Sequence, residues 1–121
     1  MIGIGVDVVE IERFRRSLER TPTMRERLFT PIELEYVAPK IDPVPSLAAR
    51  FAAREAVMKS LGLGLGAFGF HDVWVERAES GAPSLVFAGK ALDLARQAGV
   101  RQWHLSLTHS DLVAVAYVVA E

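Results

Sequence analysis

Three charged side chains in two separate stretches have the types and the spacing of a metal and phosphate site. Glu55 and Lys59 lie one helical turn apart within residues 46–62, and Asp7 lies in an otherwise apolar stretch near the first residue. A half-buried carboxylate is unfavourable unless a cation neutralises it, and that cation can be a basic side chain or a metal ion. Asp7 and Glu55 are therefore candidate ligands of Mg²⁺, which prefers few carboxylates and completes its shell with waters and phosphate oxygens.

The same residues also allow purely structural interpretations. Glu55 and Lys59 could form an exposed i,i+4 ion pair worth about 0.3–0.5 kcal/mol. Asp7 could cap the helix that follows its strand. His109, in the polar turn T-H-S-D between two strands, could project into a cleft or could simply hydrogen-bond within the turn. The sequence lacks the histidine motifs of zinc sites and the serine or cysteine motifs of acyl-enzyme chemistry, which argues against both.

Residues 46–62, S-L-A-A-R-F-A-A-R-E-A-V-M-K-S-L-G, predict the central helix that positions Glu55 and Lys59. Ser46 is the expected N-cap, and Gly62 is the expected left-handed residue that ends the helix. One stripe of this helix is apolar and an adjacent stripe is smooth enough for another backbone to approach closely. The apolar stripe consists of Leu47, Phe51, Met58 and Leu61, and the smooth stripe of Ala48, Ala52 and Ala56.

The first nine residues, M-I-G-I-G-V-D-V-V, alternate with a period of two and predict a strand. One face carries Ile2, Ile4, Val6 and Val8, and the other carries Gly3, Gly5, Asp7 and Val9. Because two glycines share the face of Asp7, we expect space beside this carboxylate for a ligand or for another chain.

The remaining pattern predicts an α+β fold, with a mostly antiparallel β-sheet packed on the long central helix, in a single domain over residues 1–121. A threonine, a proline and a glutamate at residues 30, 31 and 33 form a helix-start signature. The glycine-rich segment 62–69 is not a Walker loop, and it could either line a phosphate-bearing ligand or serve as a connector. The expected helices are 10–20, 24–28, 31–37, 46–62 and 90–98, and the expected strands are 1–9, 71–77, 84–87, 102–107 and 112–120.

The composition predicts a soluble cytoplasmic protein. Half of the residues are hydrophobic, the net charge is −1, and there is no cysteine, as is usual in a reducing compartment. No apolar run is long enough for a membrane span, and the first residues do not form a signal peptide. Residues 13–27 contain six arginines and only two glutamates. This basic window predicts an acidic partner, and the mildly acidic remainder of the chain makes nucleic acid an unexpected one.

Three stretches together resemble the holo-acyl-carrier-protein synthase family of 4′-phosphopantetheinyl transferases. They are G-I-G-V-D-V-V-E-I-E-R-F (3–14), R-F-A-A-R-E-A-V-M-K-S-L-G (50–62) and W-H-L-S-L-T-H-S (103–110). Their order and spacing match the family over essentially the whole chain. One departure is Arg54, where the family usually has lysine, so that the charge is kept.

The resemblance implies that coenzyme A donates its 4′-phosphopantetheine arm to a serine of apo acyl carrier protein, releasing adenosine 3′,5′-bisphosphate, in fatty acid biosynthesis. It also implies Mg²⁺ and a homotrimer whose sites are shared between neighbouring protomers. Asp7 and Glu55 would bind the metal, and Lys59 would neutralise the diphosphate. The serine proton would pass to Glu55 or to a water on the metal. By family position, the residues for coenzyme A are Arg50, Lys59, Gly62, Pro83 and His109, and those for the carrier protein are Arg13, Arg16, Arg20 and Arg27.

Two other functions use the same residues. A Mg²⁺-dependent nucleotide hydrolase could employ Asp7, Glu55 and Lys59, but it would leave the arginine window without a role. A non-catalytic module could bind an acidic protein through those arginines, with Glu55 and Lys59 as a surface pair.

Overall fold

All strand pairs are antiparallel, and four consecutive helices separate the first strand from the other four, as in an α+β protein. The computed structural model describes residues 1–121. The predicted fold class is confirmed. The elements are β1 (Gly3–Glu10), α1 (Ile11–Arg20), α2 (Met24–Leu28), α3 (Pro31–Val37), α4 (Val44–Ser60), a 3₁₀ turn (Phe70–Asp72), β2 (Val73–Arg77), β3 (Pro83–Phe87), α5 (Gly89–Gln97), β4 (Trp103–His109) and β5 (Val113–Ala120). None of the helices combines the length and the apolar character needed to cross a bilayer.

The strands form two sheets rather than the one that the pattern predicts. β5 lies between β1 and β4 in a three-stranded sheet, and β2 pairs only with β3. β3 approaches β4 through side chains, because the rings of Phe87 and Trp103 stack with their centroids 4.5 Å apart. No backbone ladder joins these two strands, so the second sheet remains separate.

Helix α4 packs against the inner face of the three-stranded sheet through alanines, and this packing brings β1 close to its backbone. Ala52 and Ala56 are fully buried. A Cβ atom added at Gly5 would lie 1.8 Å from the carbonyl oxygen of Ala56, and one added at Gly3 would lie 1.8 Å from that of Ser60. The close approach predicted for the alanine stripe is confirmed. The two glycines themselves leave no space for a ligand or another chain, since the backbone of α4 fills the face of β1 at Gly3 and Gly5.

The first residue of α4 differs from the prediction, whereas the end of the helix agrees with the prediction. Ser46 is not the N-cap, because the helix already begins at Val44. The Val44 N–H donates to a carboxylate oxygen of Asp42 at 3.1 Å, so an aspartate satisfies the first turn. The proline at position 45 is tolerated there because first-turn N–H groups have no helical acceptor. At the other end, Gly62 has a φ of +69°, as the prediction of a left-handed terminator requires.

A buried ion pair joins α3, α4 and β2. Arg54 and Glu33 have no exposed side-chain surface, and Nη2 and Nη1 of Arg54 donate to the two oxygens of Glu33 at 2.5 and 3.0 Å. Arg54 Nε donates to the carbonyl of Phe70 at 2.7 Å, and the N–H of Val75 donates to Glu33 at 3.1 Å. A lysine could not reproduce this two-pronged contact. Arg54, at a position where the family usually has lysine, therefore has a specific buried partner, and its role goes beyond supplying a positive charge.

The alternation predicted for β1 places its apolar side chains on the outer face of the three-stranded sheet. We define this outer face by Ile2, Ile4, Val6, Val8 and Tyr117, which are each 43–57% exposed in the single chain. Val6 lies directly opposite Tyr117 in the ladder between β1 and β5, so the exposed apolar groups form one continuous patch. Contiguous patches of this kind are typical of interaction surfaces.

Candidate active site

A cavity of about 380 Å³ lies between α1, β1 and α4 and contains both predicted metal-binding carboxylates. Asp7 reaches it from β1 and Glu55 from α4, while Arg13 lines it from α1. The two carboxylates are 48 positions apart in the chain, and the close packing of β1 on α4 brings them together. We call this space the acidic pocket.

Lys59 pairs with Asp7 rather than with Glu55. Its ammonium group donates to Asp7 Oδ1 at 3.0 Å and to the carbonyl of Val6 at 3.1 Å. The structural interpretation in which Lys59 forms an exposed i,i+4 ion pair with Glu55 is therefore wrong. The Lys59 side chain is 54% exposed, so water screens this contact and the lysine remains free to move toward a bound anion.

Glu55 is left without a hydrogen-bond donor. Its Oε1 atom is buried and has no partner. Burial raises the pKa of the Glu55 carboxyl, the negative charge of Asp7 raises it further, and Lys59 opposes both effects. A buried carboxylate oxygen with no donor, close to a second carboxylate, is a local deficit of positive charge that a divalent cation would correct.

The ligand set fits magnesium better than zinc. Asp7 and Glu55 supply two carboxylates, and the structure has no cluster of three or more histidine, cysteine, aspartate or glutamate side chains that could hold a metal ion. A structural or catalytic zinc site needs at least three protein ligands. Mg²⁺ is commonly held by one or two carboxylates together with waters and substrate phosphates.

The four arginines expected to contact the carrier protein are exposed and unpaired. Arg13, Arg16 and Arg20 project from one face of α1, since positions i, i+3 and i+7 lie within about 60° of one another. Arg27 is exposed on α2. Arg15, in contrast, is held by Asp42 through two hydrogen bonds of 3.0 and 2.8 Å, so it is not available to a partner.

The residues expected to bind coenzyme A do not converge within one chain. Lys59 is in contact with Asp7, and Gly62 follows three residues later at the end of α4. Arg50 is twelve positions before Gly62, which separates them by roughly 18 Å along the helix axis. Arg50 instead lines a second cavity of about 510 Å³ on another side of α4. Pro83 belongs to this second region, because it pairs with Arg77 across the β2–β3 hairpin.

His109 lies at the end of a strand and not in the expected turn. It is the last residue of β4, is exposed, and contacts only the carbonyl of Ser110 through Nδ1 at 3.4 Å. The turn that follows begins at Ser110, whose hydroxyl accepts from the N–H groups of Leu112 and Val113. His109 thus lies free at a sheet end, separate from the second cavity.

Four residues at these cavities carry no distinctive signal in the sequence. Met24 and Phe51 line the acidic pocket beside the carboxylates, although their helical spacing indicates ordinary core positions. Tyr36 and Arg77 line the second cavity with Arg50. Arg77 is the last residue of β2 and precedes a turn, a common position for an exposed arginine, so only the folded structure reveals its neighbours.

Comparison with known proteins identifies the class to which this fold and this acidic pocket belong. The family model described as the 4′-phosphopantetheinyl transferase superfamily matches residues 3–118. The chain therefore belongs to the 4′-phosphopantetheinyl transferase superfamily.

Relatives within that family narrow the assignment. The chain is 48% identical over 121 residues to the holo-[acyl-carrier-protein] synthase of Arthrobacter sp. (strain FB24), covering 100% of this chain and 98% of that protein. The crystal structure of the synthase from Neisseria meningitidis has a TM-score of 0.91 at 31% identity, covering 100% and 98% of the two chains. That of the Helicobacter pylori synthase in complex with coenzyme A has a TM-score of 0.84 at 28% identity, covering 98% and 99%. The protein is thus an enzyme of the holo-[acyl-carrier-protein] synthase type, a phosphopantetheinyl transferase. These comparisons support neither the hydrolase nor the non-catalytic binding module.

Proposed function

We propose that this chain transfers the 4′-phosphopantetheine group of coenzyme A to a serine of apo acyl carrier protein in a Mg²⁺-dependent reaction. The products are holo acyl carrier protein and adenosine 3′,5′-bisphosphate, and the reaction serves fatty acid biosynthesis in the cytoplasm. The observation that carries this proposal is the acidic pocket, where the unpartnered carboxylate of Glu55 lies in the same cavity as Asp7 and Arg13. The two carboxylates in this cavity suit a metal-bound diphosphate. Arg13 lines the same cavity and belongs to the exposed basic surface that would contact an acidic protein.

The chemistry needs charge neutralisation and positioning more than covalent participation of the enzyme. Asp7 and Glu55 would hold Mg²⁺, which when bound supplies positive charge for the diphosphate of coenzyme A. The serine oxygen forms a bond to the phosphorus that carries pantetheine, and the bond from that phosphorus to the bridging oxygen breaks. Lys59, on its exposed flexible stem, neutralises the leaving bisphosphate. The serine loses its proton in the same step, and the acceptor would be the Glu55 carboxylate, whose Oε1 has no partner, or a water in the pocket.

The exposed outer face supports the proposal that the protein works as a homotrimer. Isolated chains rarely leave a continuous apolar patch of isoleucine, valine and tyrosine in water. The separation of Arg50 and Pro83 from the acidic pocket supports the same proposal, since a neighbouring protomer could bring a second cavity against the first. We therefore propose that each coenzyme A site is shared between two protomers.

Intact-protein mass spectrometry tests the transfer directly. Apo acyl carrier protein is incubated with the purified chain, coenzyme A and Mg²⁺, and the expected result is a mass gain of one phosphopantetheine on the carrier serine. Adding EDTA should abolish the mass gain, because without Mg²⁺ the two carboxylates would repel the negatively charged diphosphate. A folded chain that modifies none of several carrier proteins would contradict the proposed function.

Arg13→Ala separates the carrier-binding surface from the coenzyme A site. Removing an exposed charge at the edge of an interface acts mainly on the association rate and its salt dependence. We expect carrier-protein affinity to fall by about threefold to tenfold at low ionic strength, with coenzyme A affinity nearly unchanged. Titration calorimetry with each ligand measures both quantities, and Arg101→Ala provides an exposed arginine control. Equal losses for the two ligands would show that Arg13 does not act through the carrier protein.

A further inference from the structure

Helix α2 cannot satisfy all of its own backbone groups, and a histidine from a distant segment supplies one of the missing donors. The helix has only five residues, Met24–Leu28, and the carbonyls at the end of any helix have no intrahelical partner. The carbonyl of Glu26 is one of these, because the Thr30 N–H four residues later donates to the Glu33 carboxylate instead. His71 Nε2 lies 2.7 Å from this carbonyl oxygen, although the two residues are 45 positions apart. A carbonyl oxygen can only accept, so Nε2 carries a proton and donates it.

The 3₁₀ turn that carries His71 is itself bonded to the body of the protein on both sides of the histidine. The carbonyl of Phe70 accepts from Arg54 Nε at 2.7 Å, and Arg54 belongs to the buried ion pair between α3 and α4. On the other side, the carbonyl of Asp72 accepts from the N–H of Ala88 at 2.8 Å, immediately before α5. These bonds restrict the backbone of His71, so its imidazole is a fixed point from which α2 is held.

Helix α2 contributes to both surfaces that the proposed reaction uses. Arg27 is exposed and is one of the four arginines expected to contact the carrier protein. Met24 lines the acidic pocket. Within the protein, α2 is anchored by the buried side chain of Leu28, while the residue before the helix, Thr23, forms no side-chain cap. The bond from His71 is the one side-chain hydrogen bond made to α2 from elsewhere in the chain, so it restricts how the helix can turn about its buried leucine.

We propose that His71 is a positioning residue for carrier-protein binding, which holds α2 by its Glu26 carbonyl and thereby fixes Arg27 relative to the arginines of α1. The inference rests on the proposed function, which supplies an acidic carrier protein as the partner. His71 lines neither the acidic pocket nor the second cavity. Its removal should therefore weaken the use of the carrier protein and leave the use of coenzyme A unchanged.

Three substitutions at His71 separate the hydrogen-bond donor from the rest of the side chain. His71 is exposed, so all three variants should fold. His71→Ala removes the donor and His71→Asn has an amide too short to reach, so both should raise the KM for the carrier protein about threefold to tenfold, as expected for one lost hydrogen bond. His71→Gln places an amide N–H near the position of Nε2 and should restore the wild-type KM. In all three, kcat and the KM for coenzyme A should be unchanged, as measured by mass spectrometry of the carrier. A loss in His71→Gln equal to that in His71→Ala, or an equal change in the KM for coenzyme A, would overturn the assignment.

Double-mutant cycles test whether His71 acts through Arg27. If it does, His71→Ala should have little further effect on the KM for the carrier once Arg27→Ala is present, because both changes remove the same contact. Arg13→Ala is the matched control, since Arg13 lies on α1 and is not held by His71. Its effect should add in full to that of His71→Ala. Full additivity with Arg27→Ala as well would indicate that His71 meets the carrier protein directly, and this result would contradict a positioning role.

Hydrogen exchange of the protein without ligands tests the effect of the bond on α2 itself. Amides of α2 should exchange faster in His71→Ala than in the wild type and in His71→Gln, while those of α4 should be unchanged. Unchanged exchange in α2, or faster exchange with an unchanged KM for the carrier protein, would refute the positioning role. A wild-type protein that modifies no carrier protein would refute the proposed function and with it the inference. The two failures are distinguishable because hydrogen exchange requires no carrier protein.

Discussion

Glu55→Gln is expected to reduce modification of the carrier protein by on the order of 10²–10³-fold, the range typical for loss of one preorganised electrostatic group. The amide is nearly isosteric with the carboxylate but removes the negative charge that would bind Mg²⁺ in the acidic pocket. The initial rate of holo carrier protein formation, followed by mass spectrometry, measures the loss. Asp93→Asn, a carboxylate-to-amide change at an exposed position of α5, is the matched control and should retain the wild-type rate.

The stability of Glu55→Gln should move in the opposite direction from its activity. The folded state raises the pKa of Glu55 through burial and the charge of Asp7, so near neutral pH the ionised carboxylate disfavours folding. Because the neutral amide removes this cost at any pH above the carboxyl's unfolded pKa, the melting temperature should stay the same or rise. An inactive variant that also melts much lower would indicate a structural role, and an active variant would remove Glu55 from the mechanism.

Val6→Glu is expected to dissociate the assembly and to abolish transfer at low protein concentration. Val6 is at the centre of the outer face and is 47% exposed in the single chain, so one chain can accommodate the carboxylate in water. In a covered apolar interface, the same charge would be buried without a partner, at a cost of several kcal/mol per site. Light scattering coupled to size-exclusion chromatography should report a mass of one chain, against three for the wild type.

The matched control introduces the same charge on another surface. Ile41 is fully exposed before α4 and far in the chain from the outer face, so Ile41→Glu should leave both the mass and the activity unchanged. A trimer that survives Val6→Glu would show that the outer face is not the interface. A wild-type protein that is active as a single chain would refute the proposal of shared sites, although the transfer reaction itself would stand.

Local sequence patterns predicted most elements and several of their ends. Thr30 and Glu33 form the expected capping box of α3, because both partners lie within one helical turn. The alternation of β1 correctly separated the face of Asp7 from the face of Val6. The motifs around Asp7 and Glu55 were also sufficient to indicate the transferase family, since residue types and spacing are read directly from the chain.

Contacts between distant segments depended on packing that no local pattern contains. Lys59 could have paired with Glu55, four residues away, but the fold places it against Asp7, 52 residues away. The glycine face of β1 could have admitted a ligand, but the shape of α4 allows the two backbones to meet there.

The site residues divide in the same way between local and long-range interactions. The helix that presents Glu55 and Lys59 could be predicted from the sequence, because it depends on interactions within a few residues. The lack of a partner for Glu55, the pairing of Arg54 with Glu33, and the position of Arg50 on the ring of Tyr36 follow only from the packing of distant segments. Burial and ion pairing are properties of neighbours in space, and those neighbours are set by how the helices and sheets pack.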